Sequence, residues 1–575
     1  MFVRENRQRR KNGEEVVYLQ LAESVWDSAT KRAKTTILFN FGRADDPGTV
    51  ERMREVARGI LRKIDPEQLV EDQPQWRLID SWPYGDLYVL EHFWKKLAID
   101  RLLPKNTFDA TETRLPVERS CFTMVANRAL SPSSKLYCYE QWMREDIVIE
   151  GTSKIELHHL YRSMDYYEKN KESIEKQIFF KMCDLFSCDV DLIFYDTTTL
   201  HFEIDAEDAG GKDDAIVYGS KLAGRKRYEA LRQRSETSKN KRTDVPQIVV
   251  GLAMTRDGLP VRSWVFRGDK VDVKTVAQVK RDLRGWRLTR CIFVGDAGMV
   301  SEANLKELST GGGKYILCMP IKVGTEVAKS VVTRPGRYHD VAPNLKVKEV
   351  TVGDGEGRRR YVVCYNPEEE NRQREHRKQV LEELDAELAS LKNVEGEEHS
   401  KRECRLRASR RYGKYIRLTG TGRLKIDRAK IKHYEKLDGK YVVHSNDDTL
   451  NAEDMALGYK QLMAVERAWH LLKSGLDIRP VFHYAPHRVC SHVSLTMLAL
   501  LLVRIIENVC KDSWRNIQDD LRRIKLAQLS TPQGEVWQVT EGTEDSRKRL
   551  KQLGIPLPSP VHNVVLRPTH TPSRA

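Results

Sequence analysis

Two aspartates stand where a free carboxylate would be unfavourable, and together with Glu466 they are the candidates for chemistry. Asp196 ends the apolar run at residues 192–195, and Asp296 follows a second apolar run at residues 291–295. Runs of this type predict buried strands, and an ionised carboxylate there costs free energy unless it is paired or binds a metal ion. Each aspartate alone also fits the solvated end of an ordinary strand, so the case depends on their combination.

The third candidate, Glu466, lies in a stretch with helical periodicity at residues 459–473. Tyr459, Glu466 and Lys473 are spaced by seven, and a straight helix drifts only about 20° per heptad, so one helix would project all three from one face. Glu466 would then point towards the aspartates, with Lys473 able to reach a phosphate and Tyr459 able to stack or hydrogen-bond nearby. On spacing alone, an ordinary helix whose Glu and Lys face water is the better interpretation.

The elements that would position these acids are predicted from the hydrophobic period. They are strands at residues 191–196, 247–253 and 261–266, a helix at 273–283, a strand at 291–295 and a helix at 301–308. The order β-β-β-α-β-α is that of an RNase H-like core. We therefore expect an α/β fold class (α+β multidomain), in which an RNase H-like catalytic core is interrupted by a β-rich insertion and follows a mainly helical N-terminal region.

The chain of 575 residues is too long for one ordinary domain. The predicted segments are a small β element with strands at 16–21 and 35–41 (1–47), a helical DNA-binding region (48–185), the first part of the core (186–312), a β-rich insertion with a helical arm (313–450), the second part of the core (451–510), and a C-terminal helical region and tail (511–575). Basic and aromatic residues interleave in segment 48–185, which fits DNA binding and a solvated helical scaffold equally well.

The helical arm is predicted from a repeat of leucines within residues 368–392. Leu381, Leu384, Leu388 and Leu391 recur at heptad-like spacing amid dense charge. Two heptads are too few to predict a dimerising coiled coil.

The overall composition favours a protein with a polyanionic partner. Lys and Arg number 98 against 83 Asp and Glu, for a formal charge of +15. The N-terminus lacks the apolar core of a signal peptide, and the most apolar run, at 493–503, is well short of the roughly 20 residues that span a bilayer. We expect a cytoplasmic protein with no membrane partner, and a buried helix at 493–503. The ten cysteines form no C-x-x-C pair, so reduced thiols are expected rather than a zinc site.

The residues around the three acids resemble the DDE transposases of bacterial insertion sequences. The resemblance is collinear and is carried by residues 195–200, 244–252, 293–300 and 459–483, with residues 127–135 similar to the family's stretch ahead of the core. It is closest to the branch with a Tyr-Arg-Glu-Lys signature and a β-rich insertion before the Glu. Tyr459, Glu466 and Lys473 match that signature, whereas its Arg falls on Leu462.

The resemblance implies a site and a cofactor. Asp196, Asp296 and Glu466 would be the catalytic residues and would bind two Mg²⁺ ions, for which Mn²⁺ can substitute. Tyr459 and Lys473 would contact DNA, and Arg467 could supply the charge that Leu462 lacks. The loop at residues 268–272 also resembles a family loop, and we interpret its Asp272 as structural rather than catalytic.

The same resemblance implies the partners. They are DNA, as the terminal inverted repeats of the element and as target, and a second copy of the chain in a dimer on DNA; the protein would associate with the nucleoid when bound. The connection at residues 221–242 carries nine Lys or Arg against two Glu. Phosphate contact through Arg225, Lys226 and Arg227 and a disordered solvated loop explain this charge equally well.

Two other functions remain compatible with these residues. One is an RNase H-like DNA nuclease, or a host-adopted DNA-binding relative, that does not transpose. The other is a basic DNA-binding protein with an inactive acidic site, which loss of one acid would reveal, and all three acids are present.

Overall fold

The structure is a computed structural model that describes residues 1–9, 15–27, 32–53, 56, 76–108, 114–186, 191–208, 215–218, 226–236, 242–286, 288, 291–321, 327–354, 358–531 and 534–566. In these ranges the strands are β1 (Phe2–Arg9), β2 (Glu15–Asp27), β3 (Arg32–Arg43), β4 (Arg77–Pro83), β5 (Thr107–Phe108), β6 (Arg114–Leu115), β7 (Leu192–His201), β8 (Ala215–Tyr218), β9 (Lys226–Glu229), β10 (Gln247–Met254), β11 (Pro260–Arg267), β12 (Ile292–Gly295), β13 (Lys314–Met319), β14 (His339–Ala342), β15 (Leu345–Val352), β16 (Arg359–Tyr365), β17 (Ile416–Leu418), β18 (Leu424–Ile426), β19 (Lys440–Ser445), β20 (Lys525–Thr531), β21 (Gly534–Val539) and β22 (Val561–Leu566).

The α-helices with both ends inside the described ranges are α1 (Gly85–Lys96), α2 (Ile99–Leu102), α3 (Val117–Leu130), α4 (Lys135–Tyr137), α5 (Leu157–Phe186), α6 (Val276–Gly285), α7 (Glu302–Ser309), α8 (Pro367–Leu391), α9 (Gly396–Ala408), α10 (Arg428–Glu435), α11 (Ala452–Lys460), α12 (Met463–Ser474), α13 (Pro486–Cys510), α14 (Trp514–Leu521) and α15 (Glu544–Gln552). The chain divides into two compact units, residues 1–81 with 527–538 and 561–575, and residues 82–526 with 539–560.

The described part of the first unit consists mainly of strands. β1, β2 and β3 form an antiparallel sheet, so the strands predicted at 16–21 and 35–41 are confirmed as parts of β2 and β3. A second sheet has the order β22-β21-β20-β4. Strands β20, β21 and β22 of this sheet lie in segment 511–575, for which we predicted a helical region and a tail. They are short and partly exposed, and β20 pairs with β4, which is remote in sequence, so the local pattern carried no clear signal.

The second unit is organised around a nine-stranded mixed sheet. Its order is β11-β10-β7-β12-β13-β19-β16-β15-β14. β7 pairs antiparallel with β10 and parallel with β12, and β12 pairs parallel with β13. The later strands are antiparallel to their neighbours. The protein is therefore a mixed α/β protein. Its largest sheet contains β7, which carries Asp196, and β12, which ends just before Asp296.

Continuous apolar sequence explains why the central strands form. All eight residues of β10 are buried, and in β7 only Asp196 and His201 are not fully buried. Such strands are covered on both faces, which favours continuous apolar runs such as residues 192–195 of β7 and 248–254 of β10. The strands and helices predicted between residues 191 and 308 are confirmed, with end shifts of a few residues.

The long apolar helix α13 forms the centre of the helical layer. It packs against α3, α5 and β11. By length and composition it could span a membrane, but 89% of its most apolar 18-residue window is buried within the protein. The buried helix predicted at 493–503 is thus confirmed as the middle of α13.

The single helix predicted at residues 459–473 is wrong. α11 ends and α12 begins within this stretch, and at the break the Leu462 N–H donates to the Tyr459 carbonyl at 2.9 Å, three residues back instead of four. No Pro or Gly marks the break. α11 packs on β13, β15, β16 and β19, whereas α12 packs on β7 and α13, so tertiary contacts impose two helix directions. Tyr459 and Glu466 consequently lie on different helices.

The predicted helical arm is confirmed as α8, and its apolar face is covered within the arm itself. Leu381 and Leu388 pack against a cluster of buried residues from α8, α9, α10 and the β17-β18 hairpin, namely Val380, Leu384, Leu391, Leu406, Tyr415, Ile416 and Ile431. At the base of α8, the buried Arg377 forms a bidentate ion pair with Asp438, just ahead of β19. The leucine repeat therefore serves intramolecular packing.

A buried lysine makes the stability of the second unit depend on pH. Lys135 is 3% exposed, and among the described residues its Nζ has no hydrogen-bond partner. Burial, and then the charge of Arg128, lower the pKa of Lys135 from 10.5 to about 7. Between these values the unfolded chain binds one more proton than the folded chain. The free energy of unfolding therefore rises as the pH increases from about 7 to 10.5, and it decreases as the pH falls towards 7.

We expect Lys135→Met to raise the Tm at pH 7.5 by a few degrees or more, because the unfolded state no longer gains the extra proton. The gain should shrink as the pH approaches 10. Thermal unfolding at several pH values measures this, with the exposed Lys460→Met as the matched control. A gain that did not change with pH would contradict the assignment of the lowered pKa to Lys135.

Candidate active site

The two candidate aspartates occupy equivalent positions on neighbouring parallel strands. The register pairs Phe194 of β7 with Val294 of β12, and Asp196 and Asp296 each follow two residues later. Adjacent strands lie about 4.8 Å apart, so the two carboxylates start from the same level of the sheet. Asp196 is half-buried within β7, and Asp296 is exposed at the end of β12, where it precedes the turn Ala297–Met299.

Tyr459 of α11 holds the second aspartate. Its hydroxyl donates to Asp296 Oδ1 at 3.1 Å, and its ring lies 5.4 Å from that of Tyr441 on β19. Burial, and then the neighbouring Cys318 and Asp296, raise the pKa of Tyr459 far above its usual range. The hydroxyl therefore stays protonated at neutral pH and donates to one oxygen of Asp296.

Glu466 is exposed on α12, a helix that packs against β7. Lys473 lies seven residues further along the same helix and is half-buried. The donor set of two Asp and one Glu has the hard oxygen chemistry that divalent cations prefer. Among the described residues, however, no group of three or more His, Cys, Asp or Glu is arranged to hold a metal ion. The structure thus places the two aspartates at corresponding positions of neighbouring strands and Glu466 on a helix that packs against β7.

The turn Asp272–Lys274, whose first residue the sequence indicated to be structural, lies against β7. Asp272 accepts a hydrogen bond of 2.5 Å from Thr197, the residue after Asp196. The buried Asn304 of α7 donates to Val273 O at 2.7 Å and to Met299 O at 2.8 Å, which joins the Asp272 turn to the turn after Asp296. The only sequence signal for this arrangement was the similarity of loop 268–272 to a family loop.

The remaining predicted DNA contacts differ in their surroundings. Leu462, at the position of the signature Arg, is buried and uncharged. Arg467 lines a cleft of 360 Å³ together with Arg256, Arg504 and Lys511. Arg467 therefore adds its charge to a mainly basic cleft whose lining comes mostly from α12, α13 and the turn between β10 and β11.

The basic connection is described only in part. Arg225 lies outside the described residues, and so do the side chains of Lys226 and Arg227, whose backbone belongs to β9. Two arginines later in the connection form ion pairs with nearby aspartates. Arg232 pairs with Asp208 at 2.5 Å, and Arg242 pairs with Asp244 at 2.9 Å. These two side chains therefore stabilise the connection itself.

Comparison with known proteins gives matches along most of the chain. The family model described as IS1634 family transposase, N-terminal domain, matches residues 3–72, and the model described as Transposase DDE domain matches residues 219–502. The second match includes Asp296 and Glu466 and begins after Asp196. No curated protein matches. Among solved structures, the cryo-EM structure of a piggyBac transposase synaptic complex with hairpin DNA matches 76% of this chain and 80% of that chain, with 9% sequence identity and a TM-score of 0.34.

Proposed function

We propose that this chain, which belongs to the DDE transposases of insertion sequences, uses Asp196, Asp296 and Glu466 as its catalytic carboxylates. Enzymes of this family bind DNA, cleave it and transfer its strands. The observation that carries the proposal is the register of β7 and β12, which sets both aspartates at one level of the sheet. The packing of α12 against β7 supports Glu466 as the third member.

We further propose that the first five strands of the large sheet in chain order form an RNase H-like core. Their spatial order is β11-β10-β7-β12-β13, and β12 and β13 run parallel to β7 while β10 is antiparallel to it. This arrangement agrees with the order β-β-β-α-β-α expected from the sequence. β19, β16, β15 and β14 extend the same sheet beyond β13.

DDE transposase domains depend on divalent metal ions, and we propose two Mg²⁺ ions, with Mn²⁺ able to substitute. When bound, such ions would lower the pKa of the attacking hydroxyl and neutralise charge on the leaving oxygen. Asp196 and Asp296 would supply ligands from the sheet, and Glu466 would supply the third from α12. The Tyr459 hydrogen bond to Oδ1 limits rotation of the Asp296 carboxylate, and Oδ2 could then serve as the ligand.

The chain's other residues would hold the DNA. Lys473 has the charge to pair with a phosphate near the scissile bond, and Arg467 belongs to a basic cleft. Tyr459 is already bonded to Asp296, so we assign it a positioning role in addition to any DNA contact. No covalent bond between enzyme and DNA is required. We also propose a dimer on the element ends and a cytoplasmic, nucleoid-associated location.

The test is cleavage of duplexes that contain the inverted repeats flanking the coding sequence. We expect Mg²⁺ or Mn²⁺ to support cleavage with a free 3′-OH and joining of that end to a target plasmid. Ca²⁺ should support binding with little cleavage, because its looser coordination fits the reaction geometry poorly. The same reactions without metal, in EDTA, are the control.

Two outcomes would contradict the proposal. Full activity in EDTA would exclude the metal-dependent mechanism. Cleavage without any joined product, at all metal concentrations, would favour the nuclease function instead. The mass of the complex between protein and paired ends tests the dimer.

A further inference from the structure

Asp272 is linked to the segment that carries Asp196. Asp272 begins the short turn Asp272–Lys274, and its Oδ1 accepts the 2.5 Å hydrogen bond from Thr197. In a strand, successive side chains point to opposite faces. The Thr197 side chain therefore leaves β7 on the face opposite to that of Asp196, so Asp272 contacts the back of the strand at the candidate site.

A second connection runs through Tyr195, on the other side of Asp196. The Tyr195 hydroxyl donates to Thr275 Oγ1 at 2.9 Å, and Thr275 Oγ1 donates to the Asp272 carbonyl at 2.7 Å. Tyr195 is fully buried, and its hydroxyl occupies space left by Gly251, where a Cβ would lie 2.6 Å from it. Both residues that flank Asp196 are thus anchored to the same turn.

The Asp272 turn also touches the segment that carries Asp296. A Cβ on Gly298 would lie 3.5 Å from Asp272 Oδ2, so the carboxylate packs beside the turn that follows Asp296. Asn304 bridges the two turns through the carbonyls of Val273 and Met299 and is only 6% exposed. Asp272 therefore contacts the segments that carry both aspartates.

We propose that Asp272 is a positioning residue that fixes the position of Asp196 relative to Asp296. It does so by accepting the Thr197 hydrogen bond on the face of β7 opposite to Asp196. This inference rests on the proposed role of the two aspartates. Because Asp272 contacts the face of β7 opposite to Asp196, its part is to orient the metal-binding residues, and its essential property is the acceptor oxygen rather than the charge.

The two sides of the hydrogen bond provide matched variants. Asp272→Asn keeps an oxygen that can accept from Thr197, whereas Asp272→Ala does not. Thr197→Ser keeps the hydroxyl, whereas Thr197→Val removes it at nearly constant volume. Because small misplacements of reacting groups can cost up to about 100-fold in rate, we expect the Ala and Val variants to lose about tenfold in cleavage rate. The Asn and Ser variants should stay within about threefold of the parent.

The measurements are the cleavage rate on an end duplex, the Mn²⁺ concentration for half-maximal rate, and Mn²⁺ binding to the protein without DNA, followed by electron paramagnetic resonance. We expect the Ala and Val variants to need more Mn²⁺ and to bind it more weakly, since the aspartates are less well arranged. Asp269→Asn is the control, because Asp269 lies in the same loop but pairs with Arg267 at 3.1 Å.

Several results would overturn the inference. One is normal cleavage and Mn²⁺ binding in Asp272→Ala; another is an Asp272→Asn variant as defective as Asp272→Ala, which would mean that the charge is what matters. If Asp272→Ala fails to fold, the Thr197→Ser and Thr197→Val pair decides. Asp196→Asn is run in parallel: if it cleaves normally the proposed function itself fails, and if it is inactive while Asp272→Ala is normal only the positioning role fails.

Discussion

Asp196→Asn, Asp296→Asn and Glu466→Gln should each lower the rate of end cleavage by about a thousandfold or more, equivalent to about 4 kcal/mol of transition-state stabilisation. Each substitution keeps the size of the side chain and removes the charge that attracts a divalent cation. Rates are measured on end duplexes under single-turnover conditions, beside a binding titration and a thermal unfolding curve. DNA binding and the Tm should stay near the parental values.

The expected Tm effect differs among the three residues for structural reasons. Asp296 and Glu466 are exposed, so their neutral variants lose little native interaction. Asp196 is half-buried in β7, and an amide there avoids the cost of a buried charge, which should leave stability unchanged or slightly higher. Asp269→Asn and the exposed Glu453→Gln serve as controls for loss of an acid elsewhere. Near-normal cleavage by any one of the three variants would remove that residue from the catalytic set.

The central strands could be predicted because burial on both faces produces a recognisable local pattern, a continuous run of apolar residues. A strand covered on both faces tends to contain a continuous apolar run, so residues 192–195 of β7, 248–254 of β10 and 292–295 of β12 stand out without knowledge of their neighbours. An aspartate that interrupts or ends such a strand is visible for the same reason. The helices α6, α7 and α13 were predictable from their apolar periodicity.

Other features depend on contacts between residues remote in sequence, and the local pattern could not predict them. The break between α11 and α12 arises from packing on two different parts of the sheet. The strands β20, β21 and β22 depend on pairing with one another and with β4. The partners of Tyr459 and Asp272 are 163 and 75 residues away in the chain, so these residues gained a structural meaning only in the folded protein.

The break between the helices changes how the signature residues act. On one continuous helix, Tyr459 would have shared a face with Glu466 and could have met DNA beside it. On α11 it instead bonds to Asp296, while Glu466 and Lys473 remain seven residues apart on α12. Tyr459 of the signature therefore lies on α11 and contacts Asp296. Glu466 and Lys473 of the signature lie on α12 and project from one face of that helix.

Lys473→Ala should lower end cleavage and strand transfer by about 100-fold while weakening DNA binding by no more than about threefold. Lys473 lies about 10 Å along α12 from Glu466, and an ammonium cannot bind a cation, so its charge is suited to a phosphate beside the scissile bond. Many other basic residues share the overall attraction to DNA, which limits the loss of affinity. Cleavage time courses and binding titrations on the same duplex measure the two effects, with the exposed Lys460→Ala of α11 as the control.

Neutralising charges in the basic connection (residues 221–242) should instead weaken DNA binding more than it slows cleavage. Neutralising Lys221, Arg225, Lys239 and Lys241 together removes charge without touching Arg232 or Arg242, whose ion pairs stabilise the described part of the connection. If these four residues contact phosphates, DNA affinity falls for all sequences, and the slope of log affinity against log salt decreases by about 0.9 for each lost contact. Cleavage of fully bound DNA should then be nearly unchanged. Parental cleavage by Lys473→Ala would show that Lys473 has no role near the scissile bond, and an unaltered salt slope would assign the connection to the solvated surface.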